Sequence, residues 1–346
     1  MNGQAVRLNI PDAKLWSPES PFLYDLESTL SENGKIVDKV KSYAAMRKFS
    51  TRMGDDHIIR LQLNNKDYFQ FGTLDQGYWP DGLYTAPTDE ALLFDIVKTK
   101  ELGYNMIRKH IKVEPARWYT HCDRVGMIVW QDMPSGDETP EFQWRQYFTG
   151  QDLKRSPESE ANFRKEWQEI IDDLYSYPCI GTWVVFNEGW GQFKTVELAN
   201  WTKAYDPTRI VDAASGGNHY PEGGDLLDLH NYPEPQMYLF DAKRANVLGE
   251  YGGIGYKVED HTWETDRLNV PAKATGMKEA TDTYKQYADI LKKFIARGYT
   301  AAVYTQITDV EGEVNGLMTY DRKVIKLDAE RLKEINREIR DSFKKE

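Results

Sequence analysis

Val184 to Phe193 reads VVFNEGWGQF and closes an apolar run that begins at Ile180. At its end an amide and a carboxylate, Asn187 and Glu188, stand side by side ahead of Gly189 and Trp190. An ionised carboxylate taken out of water needs a partner or a shifted pKa, so packing alone does not put Glu188 there. A second carboxylate, Glu250, closes another apolar run in VLGEYGG. Two carboxyl groups on opposite sides of one ligand can cleave a glycosidic bond. The protonated one gives its proton to the departing oxygen, and the ionised one attacks the anomeric carbon. A gap of about 5–5.5 Å implies a covalent intermediate and retention of configuration, whereas roughly 6.5–9.5 Å admits a water and implies inversion. Singly, Glu188 is equally well explained as a carboxylate held by Arg108, and Glu250 as a cap or salt bridge. Together, each following an apolar strand, they are better explained as a site, because perturbed carboxylates cluster at sites.

These groups can meet only if the elements that carry them share one wall. Eight short apolar runs recur after Lys66: DYFQFG, YNMIRKH, MIVWQD, CIGTWVVF, RIVDAAS, LLDLHNY, ANVLGEY and TAAVYTQ. Between them helical spacing predicts a helix from Asp89 to Leu102, capped by Thr88 and stopped by Gly103, and another from Glu114-Pro115 to Gly126. Further helices carry Phe163, Trp167, Ile170, Ile171 and Leu174, then Tyr284, Tyr287, Ala288 and Leu291, and finally Leu332, Ile335 and Ile339. Strands alternating with helices over residues 66–346 predict an α/β chain folded as a (β/α)8 TIM barrel, with its site at the C-terminal strand ends. A doubly wound sheet would carry a Gly-rich phosphate loop after its first strand, and the sequence has none. Residues 1–65 read as β-structure instead. FLYDLESTL and KIVDKVKSY alternate about an Asn33-Gly34 turn, and HIIRLQL ends at Asn64-Asn65. These strands are too few to bury both faces of a sandwich, so this piece is expected to lean on the barrel.

A barrel gathers the polar residues past each strand at one mouth. They are Asp75 and Gln76, Arg108 and His110, Asp132, Asn187 and Glu188, Ser215, His230 and Tyr232, Glu250, then Gln306 and Asp309. Arg108 is the cation to keep a nearby nucleophile ionised. His110, His230 and Asp309 are the candidate metal set, but their spacing fits no zinc pattern, and the expectation is no metal and no organic cofactor. Loop aromatics, among them Tyr78, Trp79, Trp144, Tyr147, Trp190 and Trp263, either stack on sugar rings or pack the loops. The net charge of −11, with no long Lys/Arg run, argues against nucleic acid, and no apolar run reaches the roughly 18 residues of a membrane span. Cys122 and Cys179 make neither a disulfide framework nor a metal knuckle. Homo-oligomerisation and compartment, whether periplasmic, secreted or cytoplasmic, stay open.

Several stretches together resemble glycoside hydrolase family 2, the β-galactosidase, β-glucuronidase and β-mannosidase group. LWSPESPFLYDL is similar to part of its immunoglobulin-like domain, YTHCDRVGMIVWQDMP to its third-strand region, FNEGWG to its acid/base motif and GEYGG to its nucleophile motif. The resemblance implies a partial immunoglobulin-like β-sandwich before the barrel, Glu188 as general acid/base, Glu250 as nucleophile and a retaining exo-β-glycosidase acting on β-galactosides. It implies Asn187 on the sugar 2-hydroxyl, Tyr232 beside the nucleophile and Arg108 as the strand-two arginine. With the mouth residues above, Asp75, His110, His230, Gln306 and Trp190 complete the expected carbohydrate-binding set. Departures are Arg108-Lys109-His110 for the usual Arg-x-Ser-His, and Tyr304-Thr305-Gln306 where many members place a tryptophan. The sequence offers no Asn-x-Lys pair of the glucuronidase kind, which counts against a glucuronidase, and no jelly-roll domain precedes the immunoglobulin-like strands, which implies a truncated form. The competing readings are a carbohydrate-binding pocket without turnover, and β-glucuronidase or β-mannosidase specificity.

Overall fold

The computed structural model describes residues 7–137, 141–142, 151–264, 268–269 and 273–343. The first elements are an antiparallel hairpin, β1 (Tyr24–Glu32) and β2 (Lys35–Ala44), and a small antiparallel sheet of β3 (Phe49–Met53), β4 (Ile59–Leu63) and β5 (Lys66–Asp67). Asn33 and Gly34 turn the hairpin with φ of 51° and 81°, matching the twist of its strands as the Asn-Gly signal predicts.

The small sheet seals the floor of the barrel. Phe49, Leu61 and Leu63 are buried there, and Leu61 N–H donates to Thr300 Oγ1 at 2.9 Å. Arg47 donates from Nε, Nη1 and Nη2 to the carbonyls of Pro178, Thr208 and Ile180. Gly181 allows this approach, since a Cβ there would lie 2.9 Å from the Phe49 ring.

Next come β6 (Gln70–Asp75), α1 (Asp89–Glu101), β7 (Met106–Lys109), α2 (Ala116–Val125), β8 (Ile128–Asp132), α3 (Pro157–Leu174), β9 (Ile180–Val184), α4 (Thr195–Tyr205), β10 (Ile210–Asp212), β11 (Leu226–Asn231), β12 (Ala245–Gly252), α5 (Met277–Ile295), β13 (Tyr299–Thr305) and α6 (Ala329–Phe343). The strands form one parallel sheet in the order β10-β9-β8-β7-β6-β13-β12-β11. It curls until its edges meet, where Asp225 N–H donates to Val211 O at 2.7 Å and Gly216 N–H to Asp228 O at 3.1 Å. The eight expected strands are therefore present as an eight-stranded barrel, preceded by the short strands of the two small sheets.

Caps follow the sequence as well. Thr88 Oγ1 accepts from Ala91 N–H at 3.2 Å, and Gly126 ends α2 in the left-handed region at φ 79°. α3 buries Phe163, Trp167, Ile171 and Leu174 against the barrel.

The regular strand–helix alternation fails in one arc. Connections 213–225 and 232–244 contain no helix. The first holds Gly216, Gly217, Gly223, Gly224 and Pro221, and the second Pro233 and Pro235, residues that oppose helix propagation by backbone freedom or by loss of a donor.

Candidate active site

Glu188 and Glu250 meet at the C-terminal mouth, in contact with a cavity of about 450 Å³. Glu250 lies within β12, and Glu188 lies four residues beyond the end of β9. The Glu188 backbone is pinned to the end of β10, its N–H donating to Ser215 O at 2.8 Å while Ser215 N–H donates to Phe186 O at 2.9 Å. Its φ of +50° is the left-handed region, rarely adopted by non-glycine residues and held against a cost of about 1–3 kcal/mol. An oxygen of Glu188, an oxygen of Glu250 and a ring nitrogen of His230 all lie within 4.8 Å of one another.

Arg108, fully buried in β7, organises the floor of this site. Nε and Nη2 hold Asp132 at 3.1 and 2.9 Å, Nη1 reaches Glu250 Oε1 at 3.1 Å and Gly249 O at 3.3 Å, and Nη2 reaches Asn187 Oδ1 at 2.8 Å. Burial works against the guanidinium charge, but Asp132 and Glu250 outweigh it and keep the group above its ordinary range. The reciprocal effect holds Asp132 below the usual carboxylate range despite burial. The other oxygen of Glu250 accepts from the Tyr232 hydroxyl, which also lies 2.7 Å from Thr305 Oγ1. Burial, then the charge of Glu250, push that hydroxyl well above the usual tyrosine range, so it acts as a donor.

The remaining predicted residues divide between cavity wall and support. His110 lines the cavity, with Nδ1 3.3 Å from Asp132 Oδ2. His230 is fully buried, with Nδ1 2.9 Å from Glu188 Oε1 and 3.5 Å from Glu250 Oε2, and Nε2 2.7 Å from Ser215 Oγ. Asp75 is buried against Lys109 Nζ at 2.6 Å, and Lys109 also reaches Glu114 at 2.9 Å. Gln306 is buried too and braces residues that do line the cavity, with Gln76 donating to it at 2.9 Å and Gln306 donating to Glu313 at 2.6 Å and Asn315 at 3.0 Å. Trp190 is 43% exposed and packs on Phe142 with ring centroids 4.8 Å apart. Arg155 steadies this loop, donating to Gly191 O at 2.9 and 2.7 Å and to Ser135 and Gly136 carbonyls. Trp144 and Tyr147 lie outside the described residues.

Asp309 is taken by Lys326 at 2.7 and 2.9 Å, and among the described residues it forms no metal-ligating group with His110 and His230. The close trio Glu188, His230 and Glu250 has the spacing for a cation, yet Arg108 already supplies the positive charge against Glu250. Thr305, Asn315, Asn269 and Lys273 line the cavity without having been singled out from sequence. Asn269 and Lys273 come from the connection between β12 and α5, where no periodicity marks a position. Thr305 ends β13 just before Gln306, and Asn315 belongs to the polar cluster that follows strand eight, which is its signal. Glu313, from the same cluster, has its carboxyl raised by burial and by the charge of Glu250, against the Gln306 hydrogen bond.

The arrangement matches known proteins in fold and sequence. Among solved structures, a family-2 β-galacturonidase from Eisenbergiella tayi bound to galacturonate superposes with a TM-score of 0.71 at 19% identity, covering 96% of this chain and 61% of that one. A putative β-glucuronidase of Formosa agariphila is 24% identical over 270 residues, 75% of this chain and 23% of its own length. A β-galactosidase of Lactococcus lactis is 27% identical over 227 residues, 65% of this chain and 20% of its own length. The chain thus spans about a fifth to a quarter of the length of these curated relatives. Residues 2–47 match glycosyl hydrolases family 2, and residues 63–243, more than half of the chain, match the TIM barrel domain of that family. With this barrel and the Glu188–Glu250 pair at its mouth, the chain belongs to glycosyl hydrolases family 2.

Proposed function

We propose that this chain carries the catalytic barrel of a retaining exo-acting β-glycosidase. The carrying observation is the approach of Glu188 and Glu250 oxygens to within 4.8 Å, on the short side of the spacing that separates retention from inversion. Glu250 is the nucleophile. Arg108 and the Tyr232 hydroxyl both donate to it, one to each carboxylate oxygen, which fixes the orientation of the group beside a buried cation. Glu188 protonates the departing oxygen and then activates the water that breaks the glycosyl ester. Asn187 spends its carbonyl oxygen on Arg108, which leaves its amide N–H groups as donors for the sugar 2-hydroxyl, a contact that strengthens in the transition state.

The terminal sugar in this reading is a β-galactoside, in keeping with the Lactococcus relative. A β-uronide is the second reading, favoured by Lys273 at the cavity wall as a cation for a sugar carboxylate. A panel of aryl β-galactosides, β-glucuronides and β-galacturonides separates the two. For the chemistry, a 2-fluoro-glycoside activated at the anomeric carbon is expected to add its glycosyl mass to the peptide holding Glu250, and Glu250→Gln to lose both label and turnover. Undiminished turnover in Glu250→Gln would overturn the assignment.

A further inference from the structure

The turn that follows β13 holds one carboxylate at the cavity wall, and the double displacement gives that carboxylate no task. Its backbone is tied from several sides. Val310 and Glu313 exchange N–H···O bonds at 3.1 and 2.8 Å, and Asp309 Oδ1 accepts from Gly316 N–H at 2.7 Å. Val314 O accepts from Tyr256 N–H at 3.0 Å and from Lys326 Nζ at 2.8 Å, while Gly312 O accepts from Asn269 N–H at 2.8 Å. Gly316 permits the tight return, since a Cβ there would lie 2.2 Å from Asp309 N. Glu313 therefore starts from a fixed place.

Its side chain is oriented as firmly. Gln306 Nε2 donates to Glu313 Oε2 at 2.6 Å, and Gln76 Nε2 donates to the same oxygen at 3.0 Å. Gln76 Nε2 also donates to Gln306 Oε1 at 2.9 Å, and Gln306 Nε2 to Asn315 Oδ1 at 3.0 Å. An amide nitrogen has two protons, and both glutamines have now used theirs. Glu313 Oε1, Gln76 Oε1 and Asn315 Nδ2 are left without a hydrogen-bond partner among the described residues. None of the three is sealed from solvent, and all three residues line the cavity that holds Glu188 and Glu250. Two acceptors and a donor on one wall match hydroxyl groups, which both give a proton and accept one.

Resting on the glycosidase reading above, we propose that Glu313 is a specificity-determining residue whose Oε1 hydrogen-bonds a hydroxyl of the terminal sugar, with Gln76 and Asn315 beside it. Asn187 serves the 2-hydroxyl in that reading, so the hydroxyl meant here lies further round the ring. Gln306 acts at one remove by holding Glu313. A sugar lacking that hydroxyl would cover the carboxyl oxygen without bonding it, and a site built to bond a hydroxyl rejects such an analogue more strongly than an apolar wall does.

The test needs no turnover. Phenyl 1-thio-β-D-galactoside, whose sulfur bridge resists hydrolysis, and its 3-, 4- and 6-deoxy forms are titrated by calorimetry into the full chain and into Glu313→Ala. The parent is expected to bind one deoxy form about tenfold more weakly than the full sugar. Glu313→Ala is expected to bind the full sugar about tenfold more weakly than the parent does, and that one deoxy form equally well. Equal weakening of all four ligands marks loss of shape rather than of a contact and overturns the proposal, as does unchanged affinity in the variant. Glu313→Gln keeps the side-chain length and decides the matter where the truncated variant does not fold. It is expected to show the same coupling to the same hydroxyl at smaller size, and its absence overturns the proposal. Binding of the thiogalactoside without turnover of any aryl glycoside counts against the glycosidase reading and leaves the role of Glu313 standing, whereas a parent that binds none of the four ligands overturns that role.

Discussion

Arg108 serves Asp132, Glu250, Asn187 and the Gly249 carbonyl at once, with no exposed surface of its own. Truncating it strands two carboxylates in a buried setting, and breaking a buried pair from one side is worth about 3–5 kcal/mol. Arg108→Ala is therefore expected to lower unfolding stability by about that amount in a urea titration. Arg108→Lys is expected to recover only part, because an ammonium cannot reproduce the fork that holds Asp132 through two nitrogens. At this scale the sequence was legible wherever a polar residue closed an apolar run, as Arg108, Asn187, Glu188 and Glu250 do. It was not legible where side chains beyond a strand end turn away. Asp75 and Gln306 occupy equivalent positions, yet one is neutralised by Lys109 and the other braces Gln76, Glu313 and Asn315. Lys109 and Gln76 are distant in sequence from the residues they meet, and no local pattern reports those contacts.

Elements are joined by buried polar contacts of the same kind. Asp123, on α2, accepts from the Tyr43 hydroxyl of β2 at 2.6 Å and from Cys179 N–H at the entry to β9 at 2.7 Å. Burial pushes its carboxyl up to about 6, against those hydrogen bonds. Since an unfolded aspartate titrates near 3.9, the folded chain holds the extra proton between about pH 4 and 6, and its stability falls as pH rises through that window. The parent is expected to lose on the order of 2–3 kcal/mol relative to Asp123→Asn over that window, read from unfolding curves at stepped pH. A parallel course for the two proteins would remove Asp123 as the cause. Caps and turns were the best-read features, Thr88, Gly126 and Asn33-Gly34 among them, because their chemistry is local. The missing helices after β10 and β11 were less visible, since strands and apolar spacing alone do not show where a helix is left out. The glycines and prolines of those connections were the available signal.

For the whole molecule, the barrel closes between β10 and β11, where β10 has only three residues and the two strands share no continuous ladder. That junction also divides the chemistry. β6 to β10 bring Arg108, Asn187 and Glu188, whereas β11 to β13 bring His230, Glu250 and Thr305. Barrel and order were readable from eight apolar runs, but the place of the weakest join was not, because pairing across closure is the least local contact of all. Its consequence concerns the order of failure under stress. Loosening this one join separates the two carboxyl groups before the rest of the cylinder melts. Catalytic capacity should accordingly vanish at a lower guanidinium concentration than the far-ultraviolet dichroism of the barrel, and superimposable midpoints would show that the junction gives way only with everything else.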